Sequence, residues 1–130
     1  MTHPLIEPFM PYEIPGKPWG DELVVIETEH YLGKVLRMKA GHRGGLQYHA
    51  RKDEAFHLFR GRAWVRFDDG TGQLAQRLMS AGQTFHIPPG CVHQVLADTD
   101  CILFECSLPV FDDRVNVAEH YGVPETGLSG

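Results

Sequence analysis

Two histidines and a glutamate are spaced so that they could bind one divalent metal ion. Gln47, His49 and Arg51 occupy alternate positions, and alternate side chains of a strand share one face. A bend at the next two residues would turn Glu54 inward at the start of the following strand, and His93 follows a proline-glycine turn. Imidazoles from two strands and one carboxylate can hold a divalent metal and leave positions open for water or substrate.

The elements that must position these residues are short strands. The chain has 14 glycines and 9 prolines, and such frequent breakers leave little room for long helices. Nine short segments are rich in Val, Ile, Leu, Phe and Tyr and predict strands: 23–26, 31–38, 46–49, 55–59, 63–67, 75–79, 83–87, 92–96 and 102–108. Helical spacing occurs only at Val115–His120. The pattern predicts an all-β antiparallel sandwich or small barrel.

Composition narrows the class of partner. The 130 residues suit one domain, and 12 basic against 17 acidic side chains give a net charge of −5. Net acidity argues against nucleic acid or an anionic membrane as a partner and favours a small molecule. We find no apolar run of about 18 residues and no signal peptide at the N-terminus, so we expect no membrane span and a cytoplasmic protein. Three cysteines without close metal-binding spacing are expected to be reduced thiols.

Two motifs resemble those of the cupin family. The spacing Glu54-x6-Gly61 matches the end of the first motif, and Gly82-x5-Pro88-x-Gly90-x2-His93 matches the whole second motif. The resemblance covers about residues 35–107 and implies a double-stranded β-helix, or jelly-roll, barrel.

A closer resemblance is to the cupin domain of type II mannose-6-phosphate isomerases, over about residues 14–122. It rests on Lys17-Pro18-Trp19-Gly20, Leu46-Gln47-x-His49, Ile87-Pro88-Pro89-Gly90 and Tyr121-Gly122. It implies metal ligation by Gln47, His49, Glu54 and His93, with zinc favoured and manganese, nickel or iron as alternatives. We expect a single cupin domain over 1–130, with an extended arm at 1–20, a barrel core at 35–107 and a C-terminal tail at 108–130.

The chain departs from this family at two positions. Arg51 stands where most cupins have the second histidine of the first motif, and a guanidinium cannot coordinate a metal. Asn116 stands where family spacing places an arginine that is expected to engage the sugar phosphate.

Three residues are candidates for catalysis. Arg51 could hold a phosphate or carboxylate of the substrate, or it could simply neutralise Glu54 or Glu105. Glu105 interrupts an apolar strand, so it is a candidate inward acid or base. His86 is either an acid or base in the pocket or a packed, hydrogen-bonded histidine.

Three functions remain open from the sequence. The first is a metal-dependent enzyme acting on a small polar carbonyl compound, most concretely an aldose–ketose isomerase of a sugar or sugar phosphate. The second is a metal-dependent dioxygenase or lyase, and the third is a non-enzymatic cupin that binds a small molecule. The ligand is expected to be sugar-like or anionic. An outward Trp64 and the proline-rich arm predict a homodimer.

Overall fold

The computed structural model describes residues 2–124 and 127–128, and this part of the chain is built almost wholly from strands. The strands are β1 (Tyr12–Ile14), β2 (Gly20–Glu27), β3 (Leu32–Met38), β4 (His42–Arg43), β5 (Gln47–His49), β6 (Glu54–Arg60), β7 (Arg62–Asp68), β8 (Leu74–Ser80), β9 (Thr84–Ile87), β10 (His93–Ala97), β11 (Cys101–Ser107), β12 (Arg114–Asn116) and β13 (Gly127–Leu128), with helix α1 at Ala118–Tyr121.

Within the described residues, the strands form two antiparallel sheets. The first has the order β1-β2-β3-β11-β6-β9. In the second sheet, one edge of β10 pairs with β7. The other edge of β10 pairs with β4 at Leu96 and with β5 at His93. β8 pairs with β7, β12 with β5, and β13 with β4. β5 and β10 are therefore neighbours in one sheet, while β6 lies in the other.

Period-two alternation decides which side chains face the interior. Buried and less buried residues alternate along β3, along most of β6, and along β11. The inward side chains form a core of Trp19, Leu36, Met38, Phe56, Leu58, Ala63, Val65, Met79, Ile87, Ala97, Cys101 and Leu103. The same parity places Glu54 and Glu105 inward, and both are buried.

The glycine of the first motif has a steric role. Gly61 joins β6 to β7 with φ of 98°, in the left-handed region that favours glycine. A Cβ atom at this position would lie 2.2 Å from the carbonyl oxygen of Asp100. The turn between β6 and β7 can therefore lie this close to the loop before β11 only because Gly61 has no side chain.

The nine predicted strands are confirmed, and the differences lie at the chain ends and in short elements. The predicted arm contributes β1, which pairs with β2 of the same chain, whereas Leu5, Ile6 and Met10 before it are largely exposed. Val115 was expected to be helical but lies in β12, where it pairs with Tyr48, and α1 begins later, at Ala118. A β-branched residue fits a ladder better than a helix. No helix in the described ranges is long and apolar enough to span a membrane.

Candidate metal centre and substrate cavity

The predicted ligands meet in one cavity that encloses about 420 Å³. Both sheets contribute to its lining: β2, β3, β6 and β11 from the first, and β5, β10 and β12 from the second. Gln47, His49, Glu54 and His93 all line it. A cavity of this size suits a small-molecule ligand.

Three of these side chains point at one another. Nε2 of His93 lies 3.1 Å from Oε1 of Glu54, and Nε2 of His49 lies 3.6 Å from the same oxygen. Potential ligand atoms of all three residues lie within 4.8 Å of one another, and all three residues are buried. Glu54 Oε1 accepts no hydrogen bond from the described residues. A buried carboxylate oxygen facing two imidazole nitrogens is the arrangement that a divalent cation would satisfy.

Both histidines are held through their other ring nitrogen. Nδ1 of His49 lies 3.1 Å from Oδ1 of Asp113, and Nδ1 of His93 lies 2.9 Å from the carbonyl oxygen of Cys91. Since a carboxylate and a carbonyl can only accept, Nδ1 donates in each contact and the lone pair of a neutral ring resides on Nε2. Such outer contacts orient the histidine ligands of metal sites.

Asp113 is fixed by the chain segment next to the site. Its Oδ2 accepts hydrogen bonds from the backbone N–H of Arg51, at 2.6 Å, and of Lys52, at 2.9 Å. Burial raises the pKa of Asp113, but these donors and His49 lower it by more, so the net shift is downward. Asp113 is therefore an ionised acceptor for His49 at neutral pH.

The ionisation states also suit metal binding. Burial lowers the pKa of His49 and outweighs the opposing charge of Glu54. Burial raises the pKa of Glu54, but His93, Lys52 and His49 together bring it below its ordinary value. A neutral imidazole and an ionised carboxylate are the forms that coordinate a metal.

Gln47 remains a predicted fourth ligand. It lies directly opposite His93 in the antiparallel pair of β5 and β10. Opposed side chains in such a pair share a face with their Cβ atoms about 5 Å apart. Two imidazoles, one carboxylate and an amide oxygen fit zinc, manganese, nickel or iron.

A line of alternating charges crosses the cavity, beginning beside the His49–Glu54–His93 cluster. Nζ of Lys52 lies 3.3 Å from Oε2 of Glu54 and 2.8 Å from Oε2 of Glu105. Nζ of Lys34 lies 4.0 Å from Oε2 of Glu105 and 3.7 Å from Oε1 of Glu22, and Nζ of Lys17 lies 3.9 Å from Oε2 of Glu22. We call this set the charged row: Lys17, Glu22, Lys34, Glu105 and Lys52.

Of the charged row, only Glu105 is a candidate from the sequence, although strand alternation also predicts that Lys34 and Glu22 point inward. Lys34 has the parity of the inward Leu36 in β3, and Glu22 has the parity of the buried Val24 in β2. Lys52 stands two residues before Glu54 and turns to the same cavity. Burial lowers the pKa of Lys52, but Glu105 and Glu54 raise it by more, so its ammonium group stays charged.

The structure corrects the predicted position of Arg51. Its side chain is 68% exposed, and its Nη2 lies 3.2 Å from Oδ1 of the exposed Asp112. β5 ends at His49, so alternation within the strand does not extend to Arg51, and the bend turns it outward. Arg51 neutralises neither Glu54 nor Glu105, and it does not line the cavity.

His86 is also placed away from the centre. Its ring is 65% exposed, and Nε2 lies 2.6 Å from Oδ1 of Asp53 on the protein surface. By alternation in β9 it points opposite to the buried Ile87. Glu105, in contrast, is the predicted catalytic residue that the structure brings to the cavity.

Comparison with known proteins decides the family. The model of the mannose-6-phosphate isomerase C-terminal domain matches residues 12–105, which is most of the chain. The chain belongs to this family. No curated protein matches the chain. The matched range contains the three residues of the metal cluster and the whole charged row.

Solved structures show that the family fold here is the cupin fold. The capsular polysaccharide assembling protein CapF from Staphylococcus aureus matches with a TM-score of 0.71 and 22% identity over 84% of this chain, and 34% of CapF is covered. KdgF from Halomonas sp. matches with a TM-score of 0.67 and 20% identity over 78% of this chain and 88% of KdgF. This chain thus spans about a third of the length of CapF.

A third neighbour is a metalloprotein. Bacillus subtilis oxalate decarboxylase, described with Mn(II) centres, matches with a TM-score of 0.67 and 14% identity over 86% of this chain and 34% of its own. A cupin-2 domain protein from Shewanella frigidimarina has a TM-score of 0.57, with 23% identity over 70% of this chain and 81% of its own. At these identities the likeness establishes the cupin fold of this mannose-6-phosphate isomerase C-terminal domain.

The segment after β11 contains β12, which contributes two side chains to the lining of the cavity. In the mannose-6-phosphate isomerase C-terminal domain described here, β12 lies beside β5, with Arg114 opposite His49 and Asn116 opposite Gln47. Both Arg114 and Asn116 line the cavity. An arginine therefore stands on the same face two residues before the position that family spacing assigns to it.

Proposed function

We propose that this protein is a metal-dependent aldose–ketose isomerase that acts on a small sugar or sugar phosphate. The observation that carries the proposal is the buried Glu105 carboxylate in the same cavity as the His49–Glu54–His93 cluster, with the Lys52 ammonium between Glu54 and Glu105. This arrangement combines a site for a Lewis acid with a fixed carboxylate base, which is what moving a proton next to a carbonyl requires.

The metal would be held by His49, Glu54 and His93, with Gln47 as the predicted fourth ligand. When bound, it supplies a positive charge that polarises a carbonyl or hydroxyl oxygen of the substrate. The buried Glu54 oxygen without a hydrogen-bond donor and the two facing Nε2 atoms fit such an ion. Asp113 and the Cys91 carbonyl keep the two rings oriented for it.

Glu105 is the proposed base. Its Oε2 lies 2.8 Å from Lys52 Nζ and accepts a hydrogen bond of 2.9 Å from the Ser107 hydroxyl. Both close contacts go to Oε2, so Oε1 is the oxygen that takes a proton from one carbon of the substrate and returns it to the neighbouring carbon. Together with the transfer of the hydroxyl proton from the neighbouring oxygen to the former carbonyl oxygen, this would interconvert an aldose and a ketose without adding or losing atoms.

Lys52 has a different role because it stays protonated. Two carboxylates lie close to its ammonium group, which carries three donors. The remaining donor can reach a substrate oxygen and stabilise negative charge that develops there during proton transfer. Lys52 therefore fixes Glu105 and contributes a positive charge beside the metal centre.

Isomerisation in deuterated water tests the proposal. Tag-free protein loaded in turn with zinc, manganese, nickel and iron(II) is incubated with aldoses and ketoses of three to six carbons and with their phosphates, and NMR follows the product and deuterium at the reacting carbon. Glu105→Gln should reduce turnover at least about a hundredfold, while Glu119→Gln, an exposed glutamate on α1, should not. Metal-loaded protein without isomerisation or deuterium exchange on any of these compounds overturns the proposal.

A further inference from the structure

The charged row lines a longer part of the cavity than the reacting end of a substrate would occupy. Glu22, Lys34 and Glu105 lie on β2, β3 and β11, which pair in this order, and β11 pairs with β6, which begins with the ligand Glu54. The other two members lie next to these strands, Lys17 before β2 and Lys52 before β6. Neighbouring strands are about 4.8 Å apart, so the three spacings from β6 to β2 amount to about 14 Å. This length exceeds what a two-carbon reacting group needs and leaves room for an extended chain of five or six carbons.

The two halves of the charged row differ in how closely their charges approach. Near the metal centre, Lys52 and Glu105 are 2.8 Å apart, which is hydrogen-bond distance. In the far half, Lys34 lies 3.7 Å from Glu22 and 4.0 Å from Glu105, and Lys17 lies 3.9 Å from Glu22. These separations are too long for direct hydrogen bonds. A hydroxyl group between such partners can accept from the ammonium and donate to the carboxylate at normal distances.

The balance of charge favours hydroxyl groups over a phosphate. Each ammonium of the far half already faces a carboxylate, so an added anion would meet Glu22 and Glu105 together with the lysines. A neutral hydroxyl can accept a hydrogen bond from an ammonium group and donate one to a carboxylate. Arg114 also lines the cavity, but it stands opposite His49 on β5 and not along the charged row.

An aromatic ring completes this half of the cavity. Phe111 lines it, and Lys34 Nζ lies 5.3 Å from the centre of the Phe111 ring. The ring thus lies beside the far half of the charged row and offers an apolar face to the C–H groups of a carbon chain. Alternating polar partners beside an apolar face suit a polyhydroxylated chain.

We propose that Glu22, Lys34 and Lys17 bind the hydroxyl groups of an unphosphorylated, open-chain tail, and that the substrate class is therefore a neutral polyhydroxy carbonyl compound of about five or six carbons. The direction of the chain, with its reacting end at the metal centre, rests on the proposed function. The hydroxyl preference of the far half rests on the distances and charges of the charged row.

Binding of non-reacting polyols tests this inference separately from catalysis. Calorimetric or NMR titrations of the full, tag-free chain, as purified and after chelation, would use D-mannitol, mannitol 1-phosphate and glycerol. The variant Glu22→Gln removes a carboxylate from the far half, and Lys17→Met is a second variant at its less buried end. Asp21→Asn is the matched control, because Asp21 is the neighbouring residue of β2 and pairs with Arg37 on the exposed face.

We expect Glu22→Gln to weaken mannitol binding about tenfold, the loss of one hydrogen bond to a charged group, and to leave glycerol binding and the Asp21→Asn control unchanged. Mannitol 1-phosphate should bind the chelated chain no tighter than mannitol. The inference is overturned if neither Glu22→Gln nor Lys17→Met affects mannitol, or if the phosphate ester binds the chelated chain more than tenfold tighter. Mannitol binding that depends on Glu22 in a protein without isomerase activity supports this inference while the proposed function fails.

Discussion

Residues 51–54 carry two cations followed by two carboxylates, and they divide between two surfaces of the molecule. Arg51 and Asp53 lie outside, in exposed pairs with other surface residues. Lys52 and Glu54 are buried in the cavity, where they contact each other. Adjacent residues of the same charge therefore have opposite roles, one at the surface and the other in the proposed centre.

Position relative to the strand, not charge type, assigns a residue to the site. The same division occurs at the next charged pair along the cavity rim. Asp112 is exposed, whereas the Asp113 side chain is 5% exposed and holds His49. Each of the inward residues Lys52, Glu54 and Asp113 thus has a chemically matched outward neighbour.

The largest difference is expected in stability, between Lys52→Met and Arg51→Met. Removing Lys52 leaves Glu54 and Glu105 buried without their shared cation, which should lower the free energy of unfolding by about 3–5 kcal/mol. Removing Arg51 from an exposed pair should change it by less than about 0.5 kcal/mol. Urea denaturation measures both variants, and similar losses would contradict a buried ion-pair network.

The next largest difference is expected in metal affinity, between Glu54→Gln and Asp53→Asn. Glu54→Gln removes a ligand, so metal affinity should fall by more than about a hundredfold, beyond the usual effect of losing an outer contact. Asp53→Asn, which alters only the surface contact with His86, should retain the wild-type metal content. Elemental analysis after dialysis against a weak chelator distinguishes them. Equal metal content in both variants would show that Glu54 is not a metal ligand.

A smaller effect is expected from the outer contact of His49. Asp113→Asn takes a negative charge from the acceptor of Nδ1 and should weaken metal binding about ten- to a hundredfold. Asp112→Asn is the control, because its carboxylate contacts the exposed Arg51. Competition titration with a chromogenic chelator gives both affinities. A weaker metal affinity in the Asp112 variant than in the Asp113 variant would reverse this assignment.

The smallest effect is expected at His86. His86→Ala should leave metal content and any isomerase rate within about twofold of wild type, since surface changes away from a site have little effect. The matched replacement, His93→Ala, should abolish both. A tenfold loss of rate in the His86 variant with unchanged metal content would restore this histidine as a catalytic residue.

Much of the fold follows from local sequence pattern. Nine strands were predictable because alternating apolar residues and frequent turn residues specify them. β1, β4 and β12 were missed because two or three residues carry no readable period, and each forms by pairing with another strand. Tertiary pairing also explains why Val115 is extended, since its partner in β5 is distant in sequence.

The site was predictable where a motif fixed the backbone. Motif spacing predicts that His49, Glu54 and His93 share one site, and the structure places them together. Alternation predicts an inward Arg51 only if β5 continues past His49, but β5 ends there and the chain bends. Lys34 and Glu22 were missed although their parity is inward, because a charged side chain in a strand suggests solvent until its buried partner across the sheet is known.

Anomalous X-ray scattering from crystals of the tag-free protein shows directly whether His49, Glu54 and His93 hold one metal ion. We expect one peak per chain, at about 2.0–2.2 Å from Nε2 of His49, Oε1 of Glu54 and Nε2 of His93, with an absorption edge that identifies the metal. A protein with no peak at this position after soaking in zinc or manganese, or with its only peak at His86 and Asp53, would contradict the account.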